Sequence, residues 1–289
     1  MVLMNAEKDM LLRTFSLPAA VMCICSALQN VYVGLANGMV FSMNKNQKKS
    51  KKKMLSNSGS SVDCIVMGSL CKPLTLVISS DKALMVQCAT KGRVLKELTP
   101  SHSSKVLCLQ VHRKLVFSGS ADQTVLAHSI NSGRIEQQYS GHQGAVTGLK
   151  VAEKKNLMTS SLDKFIRIFN IDNGRHLQTF GGFPSMITCI DLHKYNHQRM
   201  LYAGCHDGSV YALPLSTAFK CQWSSCELSF MLKDHLLDHL QIDHIESEEG
   251  TTVFQCRWRQ CKKLFAWKTD DYEILKEVHN HLSIHTSDC

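Results

Sequence analysis

Four residues separate Cys221 from Cys226, twelve separate Cys226 from His239, and another four separate His239 from His244. Two thiols on a short turn and two imidazoles about one helical turn apart supply four donors in a tetrahedron, the arrangement that Zn2+ takes from sulfur and nitrogen ligands. Phe230 stands four residues past the second Cys and Leu236 three before the first His. These two would supply most of the apolar core of a unit too small to fold without its metal. His235 lies one turn too early to join the set and reads as a surface residue.

A second set follows. Cys256 and Cys261 repeat the spacing, Trp258 takes the place of Trp223, and Phe265 again comes four residues later. The helical stretch is longer here, and His279, His281 and His285 compete for two ligand positions. His281 and His285 share a helix face at i, i+4, and Val278 precedes His281 as Leu236 precedes His239, so that pair is preferred, with His279 as the substitute. The alternative is a decayed unit that no longer binds metal. Both segments resemble Cys2His2 zinc fingers. That likeness implies two small ββα units with one structural Zn2+ each, over residues 219–245 and 256–289 with a linker at 246–255.

Base-reading fingers present helix positions −1, 3 and 6 to the major groove. Counting back from the His ligands places Leu232, His235 and Asp238 there in the first unit, and Ile274, Glu277 and Asn280 in the second. Few of these are the Arg, Asn or Gln that read base edges well. The linker Ile245-Glu-Ser-Glu-Glu-Gly250 is acidic, and residues 220–289 hold 8 Lys/Arg against 12 Asp/Glu. A phosphate backbone repels that balance, so sequence-specific DNA is not an expected partner. Protein contact, or a structural cap on what precedes, is preferred.

What precedes is a repeat. Gly92-Arg93, Gly133-Arg134 and Gly174-Arg175 recur at intervals of 41 residues. Val21, Val62, Val106, Val146 and Ile187 each open an apolar run at intervals of 40 to 44, with a cysteine two residues on (Cys23, Cys64, Cys108, Cys189) or Gly148 in its place. A β-rich run and a polar turn follow, the turn residue being Asn37, Asp81, Asp122, Asp163 or Asp207. A period near 40 with several short strands per repeat points to propeller blades. Residues 8–217 resemble the WD-repeat family, best in the fourth repeat, where Gly141-His142 precedes the first strand and Asp163 sits in the turn. Phe169-Asn170 replaces the usual Trp-Asp, and Ser101-His102 stands in the third repeat where Gly141-His142 stands in the fourth. The resemblance implies that such a His, the turn Asp and a strand Ser or Thr form a hydrogen-bonded brace, so His142 and Asp163 are read as structural. The expected fold is mainly β: a WD40-type propeller over 1–218 with five recognisable blades, followed by two small ββα units.

Leu12-Arg-Thr-Phe15 mimics the fourth-strand sequence Leu177-Gln-Thr-Phe180 without three strands ahead of it. Either it completes the last blade and hides the sheet edge, or the chain is a shortened form of a longer protein; the second is the expectation. Residues 1–219 hold 25 Lys/Arg against 12 Asp/Glu, much of it in Lys45, Lys48, Lys49, Lys51, Lys52 and Lys53. This run is read as a mobile loop between the first and second repeats, with RNA phosphates or nuclear import as functional readings and a solvated loop as the bland one. No aromatics interleave with it, so base stacking there is not expected. No apolar run approaches the roughly 20 residues of a membrane helix. Of the 13 cysteines several fall on apolar strand positions and most of the rest at ligand spacing, which favours a reducing compartment over a disulfide framework.

No phosphate loop or nucleophile elbow is present, and a non-enzymatic scaffold is expected. A degenerate WD-repeat array running straight into two C-x4-C fingers resembles the C-terminal region of a large vertebrate zinc-finger protein. That resemblance implies a nuclear, RNA-associated role linked to RNA processing, with the cytosol as a second location. The rival readings are a protein-only adaptor, for instance a substrate receptor in ubiquitin transfer, and a DNA-binding regulator.

Overall fold

The computed structural model describes residues 2–5, 10–14, 16–45, 52–69, 74–152, 155–195, 198–215, 219–222, 226, 228–230, 236–237, 239–240, 253–255, 261, 264–266 and 280–281. The chain divides into two compact units, 1–149 and 150–289.

The first unit opens with β1 (Val2–Asn5) and β2 (Met10–Thr14), which pair antiparallel with each other. The strand expected to act as a stray fourth strand is therefore spent on a local hairpin, whose short connection costs little closure entropy. Three four-stranded antiparallel sheets follow. The first is β3 (Val21–Ala27), β4 (Asn30–Leu35), β5 (Met39–Asn44) and β6 (Lys53–Asn57). The second is β7 (Val62–Ser69), β8 (Thr75–Ser80), β9 (Ala83–Cys88) and β10 (Val94–Leu98). The third is β11 (Val106–His112), β12 (Leu115–Ser120), β13 (Val125–Ser129) and β14 (Ile135–Tyr139). Each inner strand begins at the apolar residue that marks its repeat.

The lysine run lies elsewhere than expected. It falls between the third and fourth strands of the first sheet, and Lys53 already belongs to β6. Its Lys/Ser composition hid this strand, in which Leu55 alone is buried.

The second unit contains the sheet of β15 (Val146–Ala152, within which the division falls), β16 (Asn156–Ser161), β17 (Ile166–Asn170) and β18 (His176–Gly181). Next come β19 (Ile187–Tyr195), β20 (Gln198–Cys205) and β21 (Val210–Pro214), a three-stranded sheet among the described residues. Short pairs close the chain: β22 (Phe219–Lys220) with β23 (Leu228–Phe230), and β24 (Val253–Gln255) with β25 (Leu264–Ala266). Among the described residues no helix is long and apolar enough to cross a membrane.

Two backbone requirements explain the repeat. Gly92, Gly133 and Gly174 of the Gly-Arg pairs all take positive φ (74°, 78° and 70°) in the turn from third to fourth strand, where a Cβ is disfavoured. In the turn from second to third strand, the carboxylate or amide of Asn37, Asp122, Asp163 and Asp207 accepts the backbone N–H two residues on. This side-chain mimic of a turn is why Asn and Asp recur there.

The sheets pack face to face. Tyr32, Val40 and Leu55 meet Val62, Ile65, Leu76 and Ile78 between the first and second sheets. Val77, Leu84, Val86 and Leu98 meet Val106, Leu109 and Val116 between the second and third. In the second unit Met158, Ile166 and Phe180 meet Ile187, Ile190 and Leu201. All six residues of β8 are buried, Thr75, Ser79 and Ser80 among them, whereas most of β10 is exposed or half-buried and β14 alternates half-buried and exposed positions up to the buried Tyr139.

Candidate metal centre

The hairpin of β22 and β23 sets Phe219 opposite Phe230 and Lys220 opposite Ser229, and the Cys221 N–H donates to the Leu228 carbonyl at 2.9 Å. It thereby fixes Cys221, which is 1% exposed, at one end and Cys226 across the turn. His239 comes from a helical stretch that includes Leu236 and Leu237. The Sγ atoms of Cys221 and Cys226 and a ring nitrogen of His239 all lie within 4.8 Å of one another, with Cys226 Sγ 3.3 Å from His239 Nε2. A tetrahedral ion with Zn–S near 2.3 Å and Zn–N near 2.0 Å sets sulfur and nitrogen about 3.5 Å apart. The donor set and its spacing therefore fit zinc. His244, the expected fourth ligand, lies outside the described residues.

The apolar shell is as anticipated. Phe230, Leu236 and Leu240 are buried, and the Phe230 ring lies 4.7 Å from the His239 ring at an interplanar angle of 31°. This packing orients the imidazole, and Cys221 is buried while Cys226 is half-buried.

The hairpin is not a separate body. β23 runs parallel to β18, with Thr179 opposite Leu228, Phe180 opposite Ser229 and Gly181 opposite Phe230. The four-stranded sheet thus becomes six-stranded, in the order β15-β16-β17-β18-β23-β22. Gly181 makes the approach fit: a Cβ there would stand 2.9 Å from Phe165 Cε1 and 3.3 Å from Phe230 Cε1. Ser229 is fully buried in the seam. Neither Gly181 nor Ser229 stood out in the sequence, because their role depends on a pairing between segments about fifty residues apart.

The second set is partly described. β24 and β25 form the expected hairpin, and Cys261 Sγ lies 3.4 Å from His281 Nε2, so these two candidates meet. Cys256, His285 and the substitute His279 lie outside the described residues.

Another constellation has the outline of a nucleophile relay. His102 Nδ1 donates to Asp122 Oδ2 at 2.9 Å, and His102 Nε2 accepts from the Ser118 hydroxyl at 2.9 Å. Burial raises the Asp122 carboxyl, but hydrogen bonds from Thr124 and His102 outweigh it and bring the group down to about 2. Ser118 is 0% exposed and His102 4%, so no substrate reaches the hydroxyl. The trio pins the turn after β12 to the segment before β11. It is the brace that the WD-repeat likeness implied, seen in the third sheet.

Of the lysine run, Lys45, Lys52 and Lys53 each donate from Nζ to a backbone carbonyl, of Leu28, Ser16 and Thr90 respectively. Lys52 also lies over the Phe41 ring. Lys48, Lys49 and Lys51 lie outside the described residues.

Comparison with known proteins agrees with the sheets. The family described as WD40, "WD domain, G-beta repeat", matches residues 92–127 and 133–170. The matched residues are WD repeats. A chain of the structure titled "Crystal Structure of Mitotic Checkpoint Complex" superposes with a TM-score of 0.62 at 20% identity. The match covers 72% of this chain and 66% of that one, and at such identity it speaks for the fold alone. No curated protein sequence matches.

Proposed function

We propose that this chain is a non-enzymatic binding platform, WD-repeat blades that hold protein partners, carrying two zinc-held finger units and acting within a nuclear RNA-binding protein. The observation that carries the reading is the six-stranded sheet: the first finger's hairpin serves as an extension of a blade. A finger committed in this way is a wall of the platform instead of a free module tracking a DNA groove, in keeping with its acidic linker. The residues at Cys221, Cys226, His239 and His244 would hold one Zn2+, and those at Cys256, Cys261, His281 and His285 the other. The ion would supply folding energy alone, since four protein ligands leave no open position for chemistry.

The RNA element rests on resemblance: WD repeats followed at once by two C-x4-C fingers look like the C-terminal region of zinc finger protein 106. One observation favours the protein-only adaptor as a second reading. Lys45, Lys52 and Lys53 each commit one of three N–H donors to the chain's own carbonyls, which holds the side chains against the fold instead of leaving them extended toward a phosphate. Crosslinking of the chain to RNA in cells, with and without Lys45–Lys53 neutralised, separates the two. Crosslinks that fall on neutralisation support the RNA role; their absence from the intact chain leaves the adaptor.

A further inference from the structure

Phe230 belongs to two assemblies at once. Its ring packs on the His239 imidazole within the metal unit, and its backbone pairs with Gly181 at the outer edge of the β15–β18 sheet. The neighbouring Leu228 is shared in the same way: its carbonyl accepts from the Cys221 N–H, and its backbone pairs with Thr179. Ser229, between them, is fully buried and pairs with both Lys220 and Phe180.

A strand of three residues has too few contacts to hold a sheet edge by itself, since ordering each residue costs backbone entropy. Its order must come from the unit that it belongs to. A unit of this size in turn orders only when its metal is bound. We infer that zinc at Cys221, Cys226 and His239 acts as a latch on the blade: with the metal in place β23 covers the β18 edge, and with the metal gone β23 detaches and the outer backbone groups of β18 meet solvent. The inference deepens the proposed function and rests on its metal reading of the first finger.

The coupling runs both ways. If metal binding favours the docked hairpin, docking must favour metal binding by the same factor. Gly181 is the place to test this, because it touches no ligand. A methyl group there presses on Phe165 and Phe230 and strains the seam while all the donors remain.

The experiment is amide hydrogen exchange on the intact chain, zinc-loaded and after chelation. The expected result is exchange at least tenfold faster at the outward-facing amides of Thr179–Gly181, the residues that β23 covers, once zinc is removed, with β14 unchanged as the internal reference. Zinc affinity of Gly181→Ala should be at least tenfold weaker than that of the wild type. Loss of protection confined to residues 219–230 with β18 unaffected overturns the latch but leaves the metal site standing, as does an unchanged affinity in Gly181→Ala. A chain that takes up no zinc at all overturns both.

Discussion

The Cys64 thiol reaches from the second sheet to the third and donates to the Leu107 carbonyl at 3.1 Å. The link repeats: Cys23 donates to the Val62 carbonyl at 3.5 Å and Cys108 to the Val146 carbonyl at 3.6 Å. In β3, β7, β11 and β19 the ladder slips between the opening residue and the cysteine, a bulge at the same place each time. A bulge leaves a backbone group out of the ladder, and the thiol of the preceding sheet supplies a weak donor beside it.

These thiols should be inert. Burial, the largest influence, pushes Cys23 up to about 12 and Cys64 up to about 11, and it raises Cys108 as well. At pH 8 a thiol with a pKa near 11 is ionised on the order of one part in a thousand, and the thiolate is the reactive form. Iodoacetamide labelling read by mass spectrometry should leave all three unmodified in the folded chain and modify them in denaturant. Equal labelling in both states would refute the inter-sheet role. The linkage sign follows: these groups favour the fold while protonated, so their contribution is complete below the ordinary thiol value and is lost as pH rises through about 11 to 12.

Three of the four bulge cysteines face a glycine within their own sheet, while Cys64 faces Ser79. Cys23 faces Gly34, Cys108 faces Gly119 and Cys189 faces Gly204. A Cβ at Gly119 would stand 2.6 Å from Cys108 Sγ and 2.7 Å from Val146 Cγ1, whereas one at Gly204 meets Cys189 Sγ at 2.8 Å and otherwise only Thr188 Oγ1 at 3.8 Å. Cys189 is exposed and its thiol can turn aside, so Gly204→Ala should destabilise by about 1 kcal/mol or less, well below Gly119→Ala, and Cys189→Ala should restore most of that loss. Urea denaturation of the two single variants and the double variant gives the cycle. Additive costs would mean that the thiol is not the obstacle.

The regular parts of this architecture were readable from sequence because each rests on a local backbone demand. A positive-φ turn asks for Gly at Gly92, Gly133 and Gly174, and a side-chain-capped turn asks for Asp122 or Asp163. The meeting of Cys221, Cys226 and His239 was readable because a hairpin followed by a helical stretch folds back on itself within about twenty residues. What stayed hidden depends on pairing between distant segments. The seam of Gly181 with Phe230 leaves no local trace, and β6 reads as a loop because it faces solvent except at Leu55. His102 was placed from its match to His142, but Ser118 lies sixteen residues on, in a run with several serines.

The brace in the third sheet predicts an acid-sensitive stability. Asp122 is held at about 2 in the folded chain, so its contribution is present above the ordinary carboxylate value near 4 and is lost as pH falls from about 4 to about 2. Stability measured against pH should drop in that window and should be flatter for Asp122→Asn. His102→Ala, which takes the ring from Asp122 and leaves the Ser118 hydroxyl only its 3.4 Å bond to the Leu126 carbonyl, should cost about 1–3 kcal/mol at neutral pH. A variant as stable as the wild type would mean that the three groups merely lie close together.

Zinc stoichiometry bears on both Cys/His sets at once. The two sets share no ligand, and each meets through its own hairpin, one pairing Phe219 with Phe230 and the other Val253 with Ala266. Native mass spectrometry should therefore find two zinc ions per chain, one in Cys221→Ser and one in Cys261→Ser. Loss of a thiolate removes one of four bonds and most of the site's affinity, since the remaining donors no longer neutralise the ion's charge. A single ion in the wild type that disappears in Cys221→Ser but survives Cys261→Ser would mark the second unit as a hairpin that has kept its shape and lost its metal. The distance of 3.4 Å between Cys261 Sγ and His281 Nε2, close to the spacing of a zinc-bound pair, argues against that outcome.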